Sequence, residues 1–178
     1  MSCTSGPAPW RTAASPGMPR SAEREAISAP APFALRPARE TDRAPIHRLI
    51  RQVGINPTGL DWQRFTVAVD DRDQVVGCGQ VKNHHAGVRE LASLAVAPDW
   101  RGRGMAGAIM RELMQQAGPP LWLMCRSSLV SLYAKFGFEE VGPDEDQPGY
   151  FRRMRTLAGV FLFVSGDEYL AIMTWHGD

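Results

Sequence analysis

The chain has 178 residues and a formal net charge of +1, and it is 44% hydrophobic and 22% charged. These values are typical of a globular domain that buries a core without disulfides or a metal. With so little net charge and no apolar run of about 20 residues, we expect neither a nucleic-acid partner nor a membrane partner. The three scattered cysteines predict reduced thiols in a cytoplasmic protein.

The first 32 residues contain six prolines, seven alanines and five serines. Their large apolar side chains are sparse and have no period, which is the composition of a chain that cannot bury a core. We therefore predict a disordered tail over residues 1–32 and one ordered domain over residues 33–178.

The first half of this domain alternates between strand and helix patterns. Residues 33–36 predict a short strand, and Thr41 or Asp42 is placed to cap a helix whose apolar positions follow the helical period. Two alternating segments then flank the Asp70–Asp73 turn and predict a hairpin. The three strands expected here cover residues 65–69, 74–82 and 90–97.

The second half continues with a helix that Gly118, Pro119 and Pro120 end. A short strand, a second helix with Gly137 behind it, and another strand follow, and a final strand closes the domain. Between the last two strands the pattern is ambiguous, and a helix over residues 150–164 is preferred. The predicted fold class is a mixed α/β (α+β) domain, with an antiparallel first half and a strand–helix–strand unit in the second.

The chemically informative segment is the glycine-rich turn from Arg101 to Gly107, which joins a strand to a helix. Glycines remove Cβ atoms from the backbone, and the helix start offers unpaired N–H groups and a partial positive charge. Such a turn favours a phosphate. It lacks the Gly-Lys-Ser/Thr ending of a nucleotide P-loop and the Gly-x-Gly-x-x-Gly of a dinucleotide fingerprint. A basic RNA-contacting turn and a purely structural turn are the alternatives.

Two motifs, one from Leu94 to Ala106 and one from Leu132 to Phe138, resemble those of the GNAT superfamily of N-acetyltransferases. The run from Leu94 to Pro98, followed by Arg101-Gly102-Arg103-Gly104-Met105-Ala106, is similar to the superfamily's acetyl-CoA-binding motif. The run from Leu132 to Phe138, LYAKFGF, is similar to its second signature, and the two motifs stand in the superfamily's order. The resemblance covers residues 33–178.

This resemblance implies a GNAT fold, which is a mixed and mostly antiparallel sheet with splayed strands around a central strand–phosphate loop–helix unit. It also implies that the cosubstrate is acetyl-CoA, with its diphosphate on the amides that open the helix and its pantetheine arm along the preceding strand. The Leu94 N–H would then polarise the acetyl carbonyl. The implied cofactor-binding residues are Leu94, Ala95, Val96, Arg101, Gly102, Arg103, Gly104, Met105, Ala106 and Gly107.

The resemblance assigns two catalytic candidates. Glu90 matches the carboxylate that some members use as general base, and Tyr133 matches the tyrosine that protonates the departing thiolate. The alternative for Glu90 is a solvated side chain paired with Arg89 or another surface charge, and for Tyr133 it is a core tyrosine.

The acceptor is predicted to be a small amine or an amino acid. Arg126 stands where many members carry an asparagine, in a run with partial likeness to the acetyltransferase domain of N-acetylglutamate synthases. An α-carboxylate would need a cation, and Arg126 and Arg152 are the candidates, beside Arg153 and Arg155.

Three further expectations concern the surroundings of the site. The loop over residues 56–62 is expected to border the acceptor groove. His84 and His85 are assigned to a loop and, as adjacent residues, are poor joint ligands, so no metal is expected. A homodimer is compatible with the sequence, and a non-catalytic acyl-CoA sensor or a protein or peptide N-acetyltransferase remain the rival functions.

Overall fold

The computed structural model describes residues 32–161 and 168–177. The predicted tail, apart from Pro32, and the end of the predicted 150–164 helix lie outside these residues. The elements are β1 (Ala34–Pro37), α1 (Arg43–Gln52), β2 (Phe65–Val69), β3 (Val75–Asn83), β4 (Arg89–Val96), α2 (Met105–Ala117), β5 (Leu121–Arg126), α3 (Val130–Ala134), β6 (Glu139–Glu140), α4 (Gly149–Phe161) and β7 (Leu170–Trp175).

These strands form one sheet in the order β1-β2-β3-β4-β5-β7-β6. All neighbours are antiparallel except β4 and β5, which are parallel. The parallel pair has only two registered positions, Glu90 opposite Trp122 and Leu91 opposite Leu123. Beyond Leu91 the two strands separate, so the mostly antiparallel sheet and the predicted splay are confirmed.

A β-bulge in β4 shifts the alternation of its side chains between the two faces of the sheet. Gln80 pairs with Ala92 and Cys78 pairs with Ala95, so Ser93 and Leu94 together stand opposite Gly79. Ser93 takes a left-handed backbone with φ of 56°. Because a bulge inserts one extra residue, Leu91 and Leu94 both pack towards α2, whereas Ala95 packs towards α1.

Apolar residues cover both faces of the sheet. On one face, Ile46, Leu49 and Ile50 of α1 pack with residues of β2, β3 and β4. On the other face, Ile109 and Leu113 of α2 pack against β2, β3 and β4. The alternation predicted for β2 is therefore incomplete, because all five of its residues are buried between two layers.

The predicted cap of α1 is wrong. Neither Thr41 nor Asp42 makes a side-chain cap, although Asp42 holds the N-cap position. Its carboxylate instead accepts hydrogen bonds from the Arg36 guanidinium at 2.6 Å and the Arg39 amide at 2.7 Å. The hydrogen bond from Arg36 lowers the pKa of Asp42, so this carboxylate ties β1 to the start of α1.

In the stretches that the structure covers, no helix has both the length and the apolar character that crossing a bilayer requires.

Candidate active site

The glycine-rich turn leads into α2, whose first backbone amides have no hydrogen-bond partner within the helix. Gly102 and Gly104 each have φ of +75°, a left-handed conformation that side chains with a Cβ rarely adopt. Gly104 occupies the N-cap of α2 without a side-chain cap, and the first helical bond runs from the Ala108 amide to the Gly104 carbonyl. The amides of the three residues between them therefore point out of the helix start.

A cavity of about 490 Å³ opens at this helix start. Its three ionisable wall residues, Arg101, Arg111 and Lys135, are all cationic. The Arg111 guanidinium lies 5.2 Å from the centre of the Phe136 ring. A Cβ added to Gly102 or Gly104 would meet no atom within 4 Å, so the glycines open towards unfilled space. The chemistry of these walls fits a polyphosphate ligand.

Most of the predicted cofactor residues meet at this cavity, which for clarity we call the cationic cavity. Val96, Arg101, Gly102, Gly104, Met105, Ala106 and Gly107 line it. Arg103 does not: its guanidinium lies 4.6 Å from the centre of the Trp100 ring and donates to the Asp99 carbonyl at 3.0 Å. Leu94 and Ala95 stand further along β4, at the bulge beside the splay.

Five wall residues are not among the predicted cofactor residues, namely Trp100, Arg111, Leu132, Lys135 and Phe136. A helical wheel would have found Arg111, because it follows Gly104 by seven residues and shares its helix face. Lys135 and Phe136 belong to the second motif, but only the packing of α3 beside α2 shows that they face the cavity. Gly107 permits this packing, since a Cβ there would lie 2.9 Å from Phe136 Cζ.

Tyr133 lies in the core below this cavity. Its side chain is 8% exposed and its ring meets Phe138 edge-on at 6.2 Å. Burial raises the pKa of Tyr133 to about 12. The phenol therefore keeps its proton at neutral pH, as a proton donor must.

Glu90 is a buried carboxylate at the start of β4. Only 4% of it is exposed, and its Oε2 lies 2.7 Å from His84 Nε2. Arg89 turns away and donates to the carbonyls of Ala117 and Pro119. The alternative of a solvated Glu90 paired with Arg89 is therefore wrong.

His84 opens a second cavity, which we call the aromatic cavity. It measures about 510 Å³ and lies between the β3–β4 turn, the start of β5 and the start of α4. The predicted helix after residue 149 is confirmed as α4, and its first turn closes one side. The wall consists of His84, His85, Ala86, Val88, Trp122, Asp146, Gln147, Pro148, Gly149, Tyr150 and Arg153.

The predicted acceptor arginines lie outside both cavities. Arg126 is exposed, with Nη1 3.5 Å from Glu168 Oε2, and Arg152 donates to the Gln147 carbonyl at 3.2 Å. Arg153, the next residue along α4, lines the aromatic cavity instead.

The loop over residues 56–62 is fastened to β3. The Thr58 carbonyl accepts a hydrogen bond from Lys82 Nζ at 3.1 Å, and the Gly59 carbonyl accepts one from Gln80 Nε2 at 3.3 Å. Gln80 is fully buried and also donates to Ser93 Oγ at 2.9 Å. The loop is thereby joined to the bulge of β4.

Comparisons with known proteins agree with this geometry. Residues 61–140 match the family model described as an acetyltransferase (GNAT) domain. Over 80 residues the chain is 31% identical to the mycothiol acetyltransferase of Rhodococcus opacus (strain B4), a match that covers 45% of this chain and 26% of that protein. The chain thus spans about a quarter of the length of this curated relative.

Solved structures share the fold at low sequence identity. N-acetylglutamate synthase from Neisseria gonorrhoeae, complexed with coenzyme A and N-acetyl-glutamate, superposes with a TM-score of 0.64 at 21% identity, over 82% of this chain and 35% of that one. Rv2747 from Mycobacterium tuberculosis, in complex with CoA and NLQ, superposes with a TM-score of 0.62 at 23% identity, over 82% of this chain and 99% of that one. The chain therefore shares the fold of these solved structures, and its residues 61–140 are similar to the acetyltransferase (GNAT) domain.

Proposed function

We propose that this protein is an acetyl-CoA-dependent N-acetyltransferase that moves an acetyl group to the amine of a small molecule or an amino acid. The observation that carries the proposal is the cationic cavity, where free amides of α2 face three cationic side chains beside the splay of β4 and β5. The curated relative and the two solved neighbours are named as acetyltransferases or as complexes with coenzyme A.

The cationic cavity supplies what a nucleotide-linked thioester needs. Its amides and the left-handed Gly102 and Gly104 suit a diphosphate, and Arg101, Arg111 and Lys135 can each neutralise a phosphate oxygen. The splay leaves the edge of β4 open from Ala92 onwards, so an extended pantetheine arm can lie beside Leu94 and Val96.

Acyl transfer to an amine requires a proton acceptor, a polarised carbonyl and a protonated leaving group. We propose that Glu90 takes part in accepting the proton of the acceptor amine. The Leu94 amide faces the acetyl carbonyl, and Tyr133 protonates the thiolate. The position of Tyr133 supports its role, because the adjacent Leu132 lines the cationic cavity. With a pKa of about 12, its phenol carries a proton at neutral pH.

The acceptor is proposed to be amino-acid-like. One solved neighbour is complexed with N-acetyl-glutamate, and the aromatic cavity of this chain combines one arginine, one aspartate and aromatic walls. Such a wall suits a ligand with an ammonium and a carboxylate. Arg126 and Arg152 lie outside this cavity, so Arg153 of its wall is the proposed partner of the carboxylate.

The direct test has two measurements on the full chain. Titration calorimetry with coenzyme A should detect binding, and thiol release from acetyl-CoA should accelerate with L-glutamate, L-glutamine or small amines as acceptors. Binding without any acceptor-dependent thiol release would favour a non-catalytic acyl-CoA sensor. A lysine-containing peptide that outperforms the amino acids would favour a peptide acetyltransferase.

We also propose a cytoplasmic location. Cys78 and Cys125 are buried free thiols, which suits a reducing compartment.

A further inference from the structure

We propose that His84, rather than Glu90, takes the proton from the acceptor amine, and that the amine binds in the aromatic cavity. Glu90 is then a positioning residue that holds the imidazole. The inference rests on the proposed function, since it names the base and the amine site of that reaction.

The contact between the two side chains sets their roles. Glu90 Oε2 and His84 Nε2 are 2.7 Å apart, and an ionised carboxylate can only accept a hydrogen bond. Nε2 must therefore carry a proton, and in the neutral ring Nδ1 is the nitrogen left to accept one. Of the two side chains, His84 is the more accessible, at 18% exposure against 5% for Glu90, and His84 is the one that lines the cavity.

The imidazole is held in a fixed orientation. It stacks on the Tyr150 ring with centroids 3.9 Å apart, and the Phe151 ring meets it edge-on at 6.1 Å. The His84 amide donates to the Val88 carbonyl at 2.7 Å, which closes the β3–β4 turn. A base whose ring is held by such contacts needs little reorganisation at the moment of proton transfer.

The cavity wall has the chemistry of an ammonium site. Trp122 and Tyr150 present aromatic rings, and Asp146 presents a carboxylate. Gln147 is 4% exposed, and its buried Oε1 has no hydrogen-bond partner among the described residues. An N–H donor from a ligand would satisfy this oxygen, which otherwise costs desolvation free energy.

The charged and titratable groups around His84 come from three sides. Glu90 of β4 bonds to its ring, Tyr150 and Arg153 face the cavity from α4, and Asp146 faces it from the preceding loop. His85 follows directly in the turn. By Coulomb's law the two carboxylates attract the positive charge that the ring acquires in the reaction, and Arg153 repels it.

The reaction transfers one acetyl group from sulfur to nitrogen and releases one proton to water. The acceptor ammonium gives one proton to His84 Nδ1, and the free amine forms a C–N bond with the thioester carbonyl carbon. The C–S bond then breaks, and Tyr133 as the donor candidate gives its proton to the departing thiolate. The nitrogen loses its second proton, which returns through water to the Tyr133 phenolate. The products are the amide and free coenzyme A, and His84 returns its proton to water.

The test compares His84 and Glu90 variants of the full chain. With L-glutamate or L-glutamine as acceptor and saturating acetyl-CoA, His84→Gln should lower kcat about 10²–10⁴-fold, the usual contribution of a general base. His84→Ala leaves room beside Tyr150, and added imidazole should restore its kcat in part. Glu90→Gln should also lower kcat, but imidazole should not restore it. His176→Gln, an exposed histidine after β7, is the matched control and should leave kcat within twofold.

A second readout does not need turnover. Nitrogen-15 NMR of the ring, assigned with His84→Gln, should show the proton of the neutral imidazole on Nε2, and Glu90→Gln should shift this signal.

Three results would overturn the inference. A proton on Nδ1 of the neutral ring would remove the bond to the carboxylate, whatever the activity. If the His84→Gln variant keeps the wild-type kcat and the Glu90→Gln variant loses activity, then Glu90 is the base. A wild-type chain that binds coenzyme A but never turns over would instead refute the proposed function and, with it, the base assignment.

Discussion

The two cavities of this domain are built from the chain in different ways. The cationic cavity draws eight of its wall residues from the single run 96–107, and Arg111 of α2 and three residues in and just after α3 complete it. The aromatic cavity draws on the β3–β4 turn, one residue of β5, the loop before α4 and α4 itself. The cationic cavity is therefore formed mostly by one continuous segment, so a sequence motif can indicate it. The aromatic cavity forms only where segments distant in the sequence come together.

Among the variants that distinguish the two cavities, Phe151→Ala is expected to have the largest effect on stability. Phe151 is fully buried and stacks on Trp122 at 5.4 Å, so it seats the start of α4. Its loss should lower the free energy of unfolding by about 3–5 kcal/mol, measured by urea denaturation. Leu157→Ala, on the same helix but 49% exposed, should change it by less than about 0.5 kcal/mol. Under conditions where Phe151→Ala remains folded, coenzyme A affinity should be kept, and an equal loss there would show that the cavities are not independent.

Arg111→Glu tests the cationic cavity next. It removes a cation from the wall and adds an anion, so we expect about a 100-fold weaker coenzyme A affinity by calorimetry, since charged hydrogen bonds contribute about 1.5–3 kcal/mol. Arg103→Glu is the matched change, and it should cost less, because Arg103 packs on Trp100 and not on the cavity. Equal losses in both variants would return Arg103 to the cofactor residues, as the resemblance implies.

Tyr133 predicts a pH dependence of stability. Its pKa is 10.0 in the reference state and about 12 when folded, so the folded chain holds the proton more tightly. The stabilisation is complete below pH 10 and is lost as pH rises to 12, with a total of about 2–3 kcal/mol. Urea denaturation at pH 8, 10 and 11.5 should show this decline. If the decline is as steep in Tyr133→Phe, other groups cause it.

The smallest effects are expected from alanine substitutions at Gly107, in the cationic cavity, and at Gly149, in the aromatic cavity. An alanine at Gly107 would push on Phe136 Cζ from 2.9 Å, which should cost about 1–3 kcal/mol of stability and weaken coenzyme A binding a few-fold. An alanine at Gly149 meets no atom within 4 Å and starts α4, so it should be neutral or slightly stabilising. Thermal unfolding and calorimetry measure both, and a neutral Gly107→Ala would show that Phe136 moves without cost.

The sequence was sufficient where local chemistry decides the conformation. Strand and helix periods located the described elements, and the left-handed positions in the Arg101–Gly107 turn appeared as glycines. It was insufficient for the Asp42 carboxylate, whose pairing with Arg36 outcompetes a helix cap. It was also insufficient for Arg103, whose cavity role depends on where the Trp100 ring lies.

By itself, the sequence determined the fold class, the phosphate-favouring turn and the candidates Glu90 and Tyr133. Only the tertiary structure brought His84 against Glu90 and placed Arg111, Lys135 and Arg153 in cavity walls. The physical reason is the distance in sequence over which residues interact. Backbone conformation and the amides at a helix end depend on adjacent residues. The partner of a buried carboxylate depends instead on which strands pair. The β-bulge at Ser93 and the two-residue pairing of β4 with β5 set those neighbours.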